Sequence, residues 1–324
     1  MRTHSIPSSG NTASAEPLRR GAEAASRLAH TDGHVSVLLH ESIEVLDIQT
    51  NDTVVDATLG GAGHSRLICE KLGAHGTFVG FDLDEAAIAR ARVALAETAP
   101  RVELVHANFR TMATAVRERA LVPTKVLFDL GWSSFQLADG RGFSFLVDEP
   151  LDMSYQTGAH TLTARAVVNS WEESSLADVI YGFGEERFAR RIARAIVEYR
   201  LHKPIETSAE LGAIVRSAVP APARHGKIHP ATKTFQALRI AVNDELGSLE
   251  EALTGAWEVL APRGRIAVIS FHSIEDRVIK NRFVSWEKQG LGRRITKKPI
   301  VPSREEIVQN RRARSAKLRV IEKI

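Results

Sequence analysis

Apolar positions recur along this chain with two periods, and the alternation between them predicts the fold. Short, mostly apolar stretches of two to four residues at Val54-Val55, Phe78 to Phe81, Val102 to Val105, Val126 to Phe128 and Ile266 to Ile269 have the length and β-branching of buried strands. Between them, helical spacing places Leu67, Ile68 and Leu72 on one face, then Ala87, Ile88, Ala91 and Leu95 on another. Strand followed by helix, repeated, predicts a parallel α/β sheet of the doubly wound kind. The stretch from His34 to Leu46 alternates apolar and polar residues and leads into the first strand. Beyond Met153 the rhythm changes, and only helical patterns follow: Leu176/Val179/Ile180, Phe188/Ile192/Ile196/Tyr199, and Leu211/Ile214/Val215 with Ser208 as the expected N-cap. Sheet-like patterning resumes after a helix start at His229-Pro230, with Pro230 expected at N1, and two apolar helical faces run through Phe235/Leu238/Val242/Leu246 and Leu249/Leu253/Trp257/Leu260. The organisation expected is a discontinuous sheet unit, 34–150 and 229–324, interrupted by a helical insertion at 151–228. Residues 1–33, rich in Ala, Ser, Gly and Arg, are expected to be a disordered extension.

The chemistry gathers where the strands end. Val54-Val55-Asp56 runs into Ala57-Thr58-Leu59-Gly60-Gly61-Ala62-Gly63-His64-Ser65, a glycine-rich turn that opens a helix. The turn lacks the third glycine of a dinucleotide fingerprint, since Arg66 stands there, and it lacks the Gly-Lys-Ser/Thr of a P-loop. An acid at the first strand end (Asp56), the glycine turn and a second acid after the next strand (Asp82) form the layout of S-adenosylmethionine enzymes. A carboxylate at Asp82 can accept both ribose hydroxyls, and the helix N-terminus suits a carboxylate group. Phe109 follows the third strand, where it either borders an adenine or belongs to the core. The fourth strand ends in Asp129-Leu130-Gly131-Trp132-Ser133-Ser134-Phe135-Gln136, which brings a carboxylate, two hydroxyls, an amide and two aromatics to the ligand edge of such a sheet. His272 closes the fifth strand, as a site residue or a structural histidine, and Ser273 is the expected cap of the helix that follows.

Charge adds a partner. The 324 residues carry a net charge of +4, but Lys288 to the end holds 12 basic and 3 acidic residues, a local +9 that leaves the remainder near −5. A concentrated positive segment predicts a polyanion, with a solvated tail as the alternative. The arginines at 187, 190, 191 and 194 within the helical stretch make either a nucleic-acid face or a solvated one. One cysteine, Cys69, excludes an intramolecular disulfide framework and predicts a buried thiol in a reducing, cytoplasmic setting. No stretch has the apolar length of a membrane span, and no His/Cys cluster has metal-ligand spacing.

In order, the motifs from Asp56 to Ser65, Asp129-Leu130-Gly131 with Ser133-Ser134 and Gln136, Arg141 to Phe145, Pro150 to Met153, Tyr181 to Arg187, His229 to Arg239, Ser270 to Ser273 and Arg312 to Arg319 resemble one family. It is the bacterial methyltransferases that act on N4 of a P-site cytidine in 16S ribosomal RNA. The resemblance implies a Rossmann-like S-adenosylmethionine-dependent methyltransferase sheet with a helical insertion that helps hold RNA. It implies that Ala62, Gly63, His64, Asp82, Phe109, Asp129 and Gln136 contact S-adenosylmethionine, and Asp129 is also the candidate catalytic acceptor for the target amine. The partners expected are 16S rRNA in the small ribosomal subunit and a second copy of the chain in a homodimer, with no membrane and no metal. The chain departs from the family pattern at Ala62 for glycine, which requires a negative φ there, and at Trp132, Phe135, Ser154 and Arg311. A methyltransferase of another substrate and a non-catalytic RNA-binding assembly factor are the rival readings.

Overall fold

The alternating strand and helix patterns give a single sheet, described in a computed structural model that covers residues 35–131, 140–156, 161–226 and 228–324. Among these residues the sheet has seven strands in the order β3-β2-β1-β4-β5-β7-β6. They are β1 (Thr53–Asp56), β2 (Thr77–Asp82), β3 (Arg101–His106), β4 (Lys125–Asp129), β5 (Arg265–Ser270), β6 (Gly292–Arg294) and β7 (Lys317–Lys323). The first five run parallel, and β7 is antiparallel to both β5 and β6. The order reverses between β1 and β4, so the crevice that binds ligands in such sheets opens at the ends of these two strands.

Side-chain alternation along the strands sorts them into two cores. Val55, Val79, Phe81, Val126, Phe128 and Val268 face one way, against α4 (Met112–Glu118), α10 (Glu245–Val259) and α11 (Ser273–Lys288). There Trp257 and Trp286 stack with ring centroids 4.1 Å apart. Val54, Phe78, Leu127, Ala267, Ile269 and Val320 face the other way, against α1 (Leu39–Leu46), α2 (Gly63–Lys71) and α3 (Glu85–Ala94). Cys69 is buried on α2, and burial raises its thiol to about 12, which leaves it a packing group. The stretch before β1, which alternates in sequence, is the helix α1, with Ser42, Ile43 and Leu46 buried.

A third core belongs to the helices after β4: α5 (Ala164–Ser170), α6 (Glu173–Gly184), α7 (Ala189–Arg200), α8 (Ser208–Ala218) and α9 (Thr232–Asn243). α9 contributes Phe235, Leu238 and Val242 to this cluster, so it packs with the insertion helices and not on the sheet. Gly184 makes that packing close: a Cβ there would stand 2.6 Å from the Lys233 carbonyl oxygen. Three caps differ from the sequence reading. Thr207, one residue before Ser208, caps α8 in a capping box with Glu210. Pro230 lies outside α9, whose N-cap is Ala231. His272, not Ser273, caps α11: its Nδ1 accepts from the Glu275 N–H at 3.3 Å. Arg187, Arg190, Arg191 and Arg194 all lie on the exposed side of α7 or just before it, with Arg194 facing Glu173 at 3.7 Å.

Candidate active site

The turn after β1 is built by its own polar atoms. Asp56 is buried, and its two oxygens accept from the Thr58 N–H at 3.1 Å and the Ser65 hydroxyl at 2.6 Å. The Thr58 hydroxyl in turn accepts from the Asp129 N–H at 2.7 Å, tying β1 to β4 across the switch point. Asp56 therefore braces the loop from inside. Burial is the main reason that its carboxyl is raised from an ordinary 3.8 to about 6, with Asp82 adding repulsion against the two hydrogen bonds. Between these values the folded protein holds a proton that the unfolded chain has lost, so stability falls as pH rises through that window. The deficit is complete above about pH 6 and amounts to roughly 3 kcal/mol. Asp56→Asn, which keeps the shape and removes the charge, should raise the melting temperature at pH 8 and change it little at pH 4. Thermal melts at the two pH values check this, and equal shifts at both would refute it.

The glycine turn stays close to β2. Leu59 N–H donates to the Phe81 carbonyl at 3.0 Å and Gly60 N–H to Asp82 Oδ2 at 2.8 Å. A Cβ at Gly80 would collide with the Leu59 side chain, so glycine at that strand position lets the turn settle. Ala62 does not have the negative φ expected of it. It lies in the left-handed region at φ 60, ψ 19, beside Gly60 at φ 49. An L-residue held there costs about 1–2 kcal/mol. Gly63 serves a different need, since a Cβ would strike the Ser36 hydroxyl. Ala62 gives α2 no side-chain cap, which leaves the first N–H groups of the helix for an anionic group.

Around this turn the predicted side chains converge in part. Asp82 Oδ1 accepts from the Asp84 N–H at 2.9 Å and Oδ2 from Gly60, one bond per oxygen, which leaves acceptor capacity on both for a diol. His64 is buried on the first turn of α2, with Nε2 3.2 Å from the Val37 carbonyl oxygen and Nδ1 3.6 Å from Asp129 Oδ2. Among the described residues, the Oδ1 of Asp129 is buried without a hydrogen-bond partner. Burial, reinforced by the charges of Asp56 and Glu275, raises its carboxyl well above the ordinary range. Phe109 is half-buried and meets Phe128 edge-on at 5.8 Å, so it belongs to the edge of the core while keeping an open side. Gln136, with Trp132, Ser133, Ser134 and Phe135, lies outside the described residues.

The second rim of the cleft comes from His272, which the sequence offered as a site or structural residue, and from Glu275, which it did not single out. Glu275 Oε2 accepts from the Phe271 N–H at 2.9 Å, and Oε1 stands 3.1 Å from His272 Nε2. Burial pushes the Glu275 carboxyl up, but His272, Arg239 and the backbone donor together hold it below its ordinary value, so it is ionised. Behind it, Arg239 grips Glu245 through two bonds of 2.7 and 2.8 Å, and the Tyr155 hydroxyl donates to the same carboxylate at 2.9 Å. Donor atoms of Glu245, His272 and Glu275 lie within 4.8 Å of one another; Glu245 is held by Arg239 and His272 Nδ1 by the Glu275 N–H, while His272 Nε2 has no hydrogen-bond partner among the described residues. Ser154, where the family pattern has arginine, is buried and its carbonyl oxygen accepts from Arg141 at 3.0 Å. A capping box read as H-x-x-E would have found Glu275 as the partner of His272; nothing local announces that its charge reaches Asp129.

Three carboxylates at adjacent strand ends, an uncapped helix start and a backbone-lined turn suit a ligand that carries a cationic centre, a diol and a carboxylate. A family model described as the MraW methylase family matches residues 31–324. The chain belongs to the MraW methylase family. Curated relatives agree in length as well as sequence. The "Ribosomal RNA small subunit methyltransferase H" of Brevibacillus brevis is 46% identical over 308 residues, covering 90% of this chain and 98% of that protein. The proteins of that name from Heliobacterium modesticaldum and Clostridioides difficile are 47% and 44% identical, each over 90% of this chain and 98% and 99% of their own lengths. Membership makes the chain a methyltransferase. Among the described residues no helix is long and apolar enough to cross a membrane.

Proposed function

We propose that this protein transfers the methyl group of S-adenosylmethionine to N4 of a P-site cytidine in 16S ribosomal RNA of the small subunit. The observation that carries the reading is Asp129: a carboxylate 20% exposed whose Oδ1 is buried and, among the described residues, unpartnered, next to a turn whose free donors and acceptors match an amino-acid nucleoside. Asp82 would hold the ribose hydroxyls, the start of α2 the methionine carboxylate, and Phe109 the adenine face. When bound, the sulfonium supplies an already activated methyl group, so the protein's task is alignment and charge management.

The cytosine amine is a poor nucleophile because its lone pair is delocalised into the ring. An acceptor at Asp129 Oδ1 draws the N–H, localises the lone pair and takes the proton as the N–C bond forms. A raised carboxyl makes that acceptor strong enough to receive it. Burial and the charges of Asp56 and Glu275 keep the proton affinity of Asp129 high, and His64 Nδ1 stands 3.6 Å from the other oxygen, Oδ2. The base must leave any stack to arrive there.

Unmethylated small subunits incubated with the protein and methyl-labelled S-adenosylmethionine test the reading through nucleoside mass spectrometry. N4-methylcytidine at one P-site position is the expected product. Label on another nucleoside or on protein would overturn the substrate, and absence of label with cofactor binding intact would overturn catalysis on this particle.

A further inference from the structure

Several basic residues near the C-terminus are paired within the fold. Lys317 Nζ donates to Asp276 Oδ2 at 2.9 Å, and Arg319 binds both oxygens of the same buried carboxylate at 2.6 and 3.2 Å. Arg294 pairs with Glu287 at 2.7 Å, and Arg293 with Glu322 at 2.9 Å. These charges hold β6, β7 and α11 together. The 3-10 turn Arg311–Ser315, just before β7, is different. Arg311, Arg312 and Arg314 are exposed, and among the described residues none of their guanidinium groups has a hydrogen-bond or carboxylate partner. Arg312 stands out further. Desolvation alone lowers its proton affinity, with no acid offsetting it, so part of its charge is kept from water without compensation.

The position of the turn gives this charge a meaning. Ala313 and Ala316 are buried in the cluster that contains Val37, Leu38, Leu59 and Ala62. Lys317, two residues past the turn, pairs with Ser270 at the end of β5, one step beyond the level of Asp129. The preceding helix, α12 (Arg304–Gln309), accepts the Leu38 N–H on Glu306 at 2.7 Å, and the neighbouring Val37 carbonyl oxygen faces His64, which faces Asp129. The unpaired arginines thus stand on the side of the sheet where Asp56, Asp82 and Asp129 end their strands. Those carboxylates and Glu275 repel phosphate from the cleft, while a cytosine, uncharged, can enter. A strand presenting one base there needs its flanking phosphates held at the rim.

We propose that Arg312, flanked by Arg311 and Arg314, binds a backbone phosphate of the RNA strand beside the nucleotide presented to the cleft. The inference rests on the RNA reading above. A planar guanidinium with its donors free matches phosphate bidentately, and partial desolvation strengthens each bond. Arg311, where the family pattern has proline, adds a charge to this rim in the present chain.

The test compares Arg312→Gln, Arg314→Gln and the double variant with Arg293→Gln, which removes the same charge from a paired site. Affinity for unmethylated small ribosomal subunits is measured against salt, alongside S-adenosylmethionine affinity by calorimetry and steady-state turnover. Arg312→Gln should raise KM for the subunit about tenfold with kcat within about twofold, and should lower the salt slope by roughly 0.7–0.9. Arg312→Lys should restore the slope but only part of the affinity. An unchanged slope in Arg312→Gln, or an equal change in Arg293→Gln, would overturn the proposal. So would loss of cofactor binding in Arg312→Gln, which would make the turn a support of the glycine loop. A wild-type protein that labels no RNA, yet binds it with a slope that Arg312→Gln reduces, would overturn the substrate reading and leave the phosphate site standing.

Discussion

Asp129→Asn is expected to slow methyl transfer by about 10²–10⁴-fold while making the fold more stable at pH 8. The two effects have one origin. The carboxylate has one oxygen buried and, among the described residues, unpartnered, near Asp56 and Glu275, and its charge is disfavoured by burial and by both neighbours. An amide of the same shape carries no charge to bury, and it still has an oxygen and a nitrogen to place against His64. What it lacks is basicity: an amide cannot take the amine's proton. Small-subunit retention should be nearly unchanged, because no part of the basic surface is touched. Single-turnover rates and thermal melts of the same preparation check both halves. A variant that turns over at the wild-type rate removes Asp129 from the mechanism, and one that is less stable at pH 8 removes the electrostatic account of its raised carboxyl.

Glu245→Ala should cost about 3–5 kcal/mol of stability, the range for a buried ion pair that loses one partner. The side chains of Arg239 and Glu245 are 6% and 11% exposed, so the arginine left behind stays largely shielded from water and loses both of its bonds to Glu245. Burial works against the Arg239 charge, and only the carboxylate and its neighbours hold the proton in place. Tyr155 loses its acceptor at the same time. Replacing both members together, Arg239→Met with Glu245→Leu, should be markedly less damaging than Glu245→Ala, since no charge is then stranded. Urea denaturation at matched pH separates the cases. A single variant within about 1 kcal/mol of wild type would show that the pair is hydrated.

The parts of the site legible in the sequence are those governed by local order. A carboxylate after a β-branched run ends at the edge of a parallel sheet, which is why Asp56, Asp82 and Asp129 could be placed before any coordinates. Their division of labour was not legible. Asp56 turns inward because Ser65, nine residues later, reaches back to it, a contact set by the turn's curvature. Strand β7 was missed because Lys317, Arg319 and Lys323 fall in the basic segment read as a polyanion footprint, with a solvated tail as the alternative. The partner that makes Arg319 a buried residue, Asp276, lies 43 residues away. The helix α1 was hidden by its short amphipathic stretch, too brief to separate a period of 3.6 from one of 2. At Ala62 the residue type argued for a negative φ, and the hydrogen bond from its N–H to the Leu59 carbonyl at 2.7 Å, within the turn between β1 and α2, prevailed.

The insertion leaves the sheet unit before Pro150 and rejoins it at the Asp244 corner between α9 and α10, and the two crossings meet. Asn243 binds the Met153 carbonyl at 2.8 Å and the Tyr155 N–H at 2.8 Å, beside the pair of Arg239 and Glu245. A greasy seam can slide by fractions of an ångström at little cost, because dispersion has no direction. A seam fastened by directional bonds to buried charge has one geometry in which every group is satisfied. Any rearrangement of the helical lobe must release these bonds as a set, so such a motion would behave as a latch with discrete positions and not as a graded hinge.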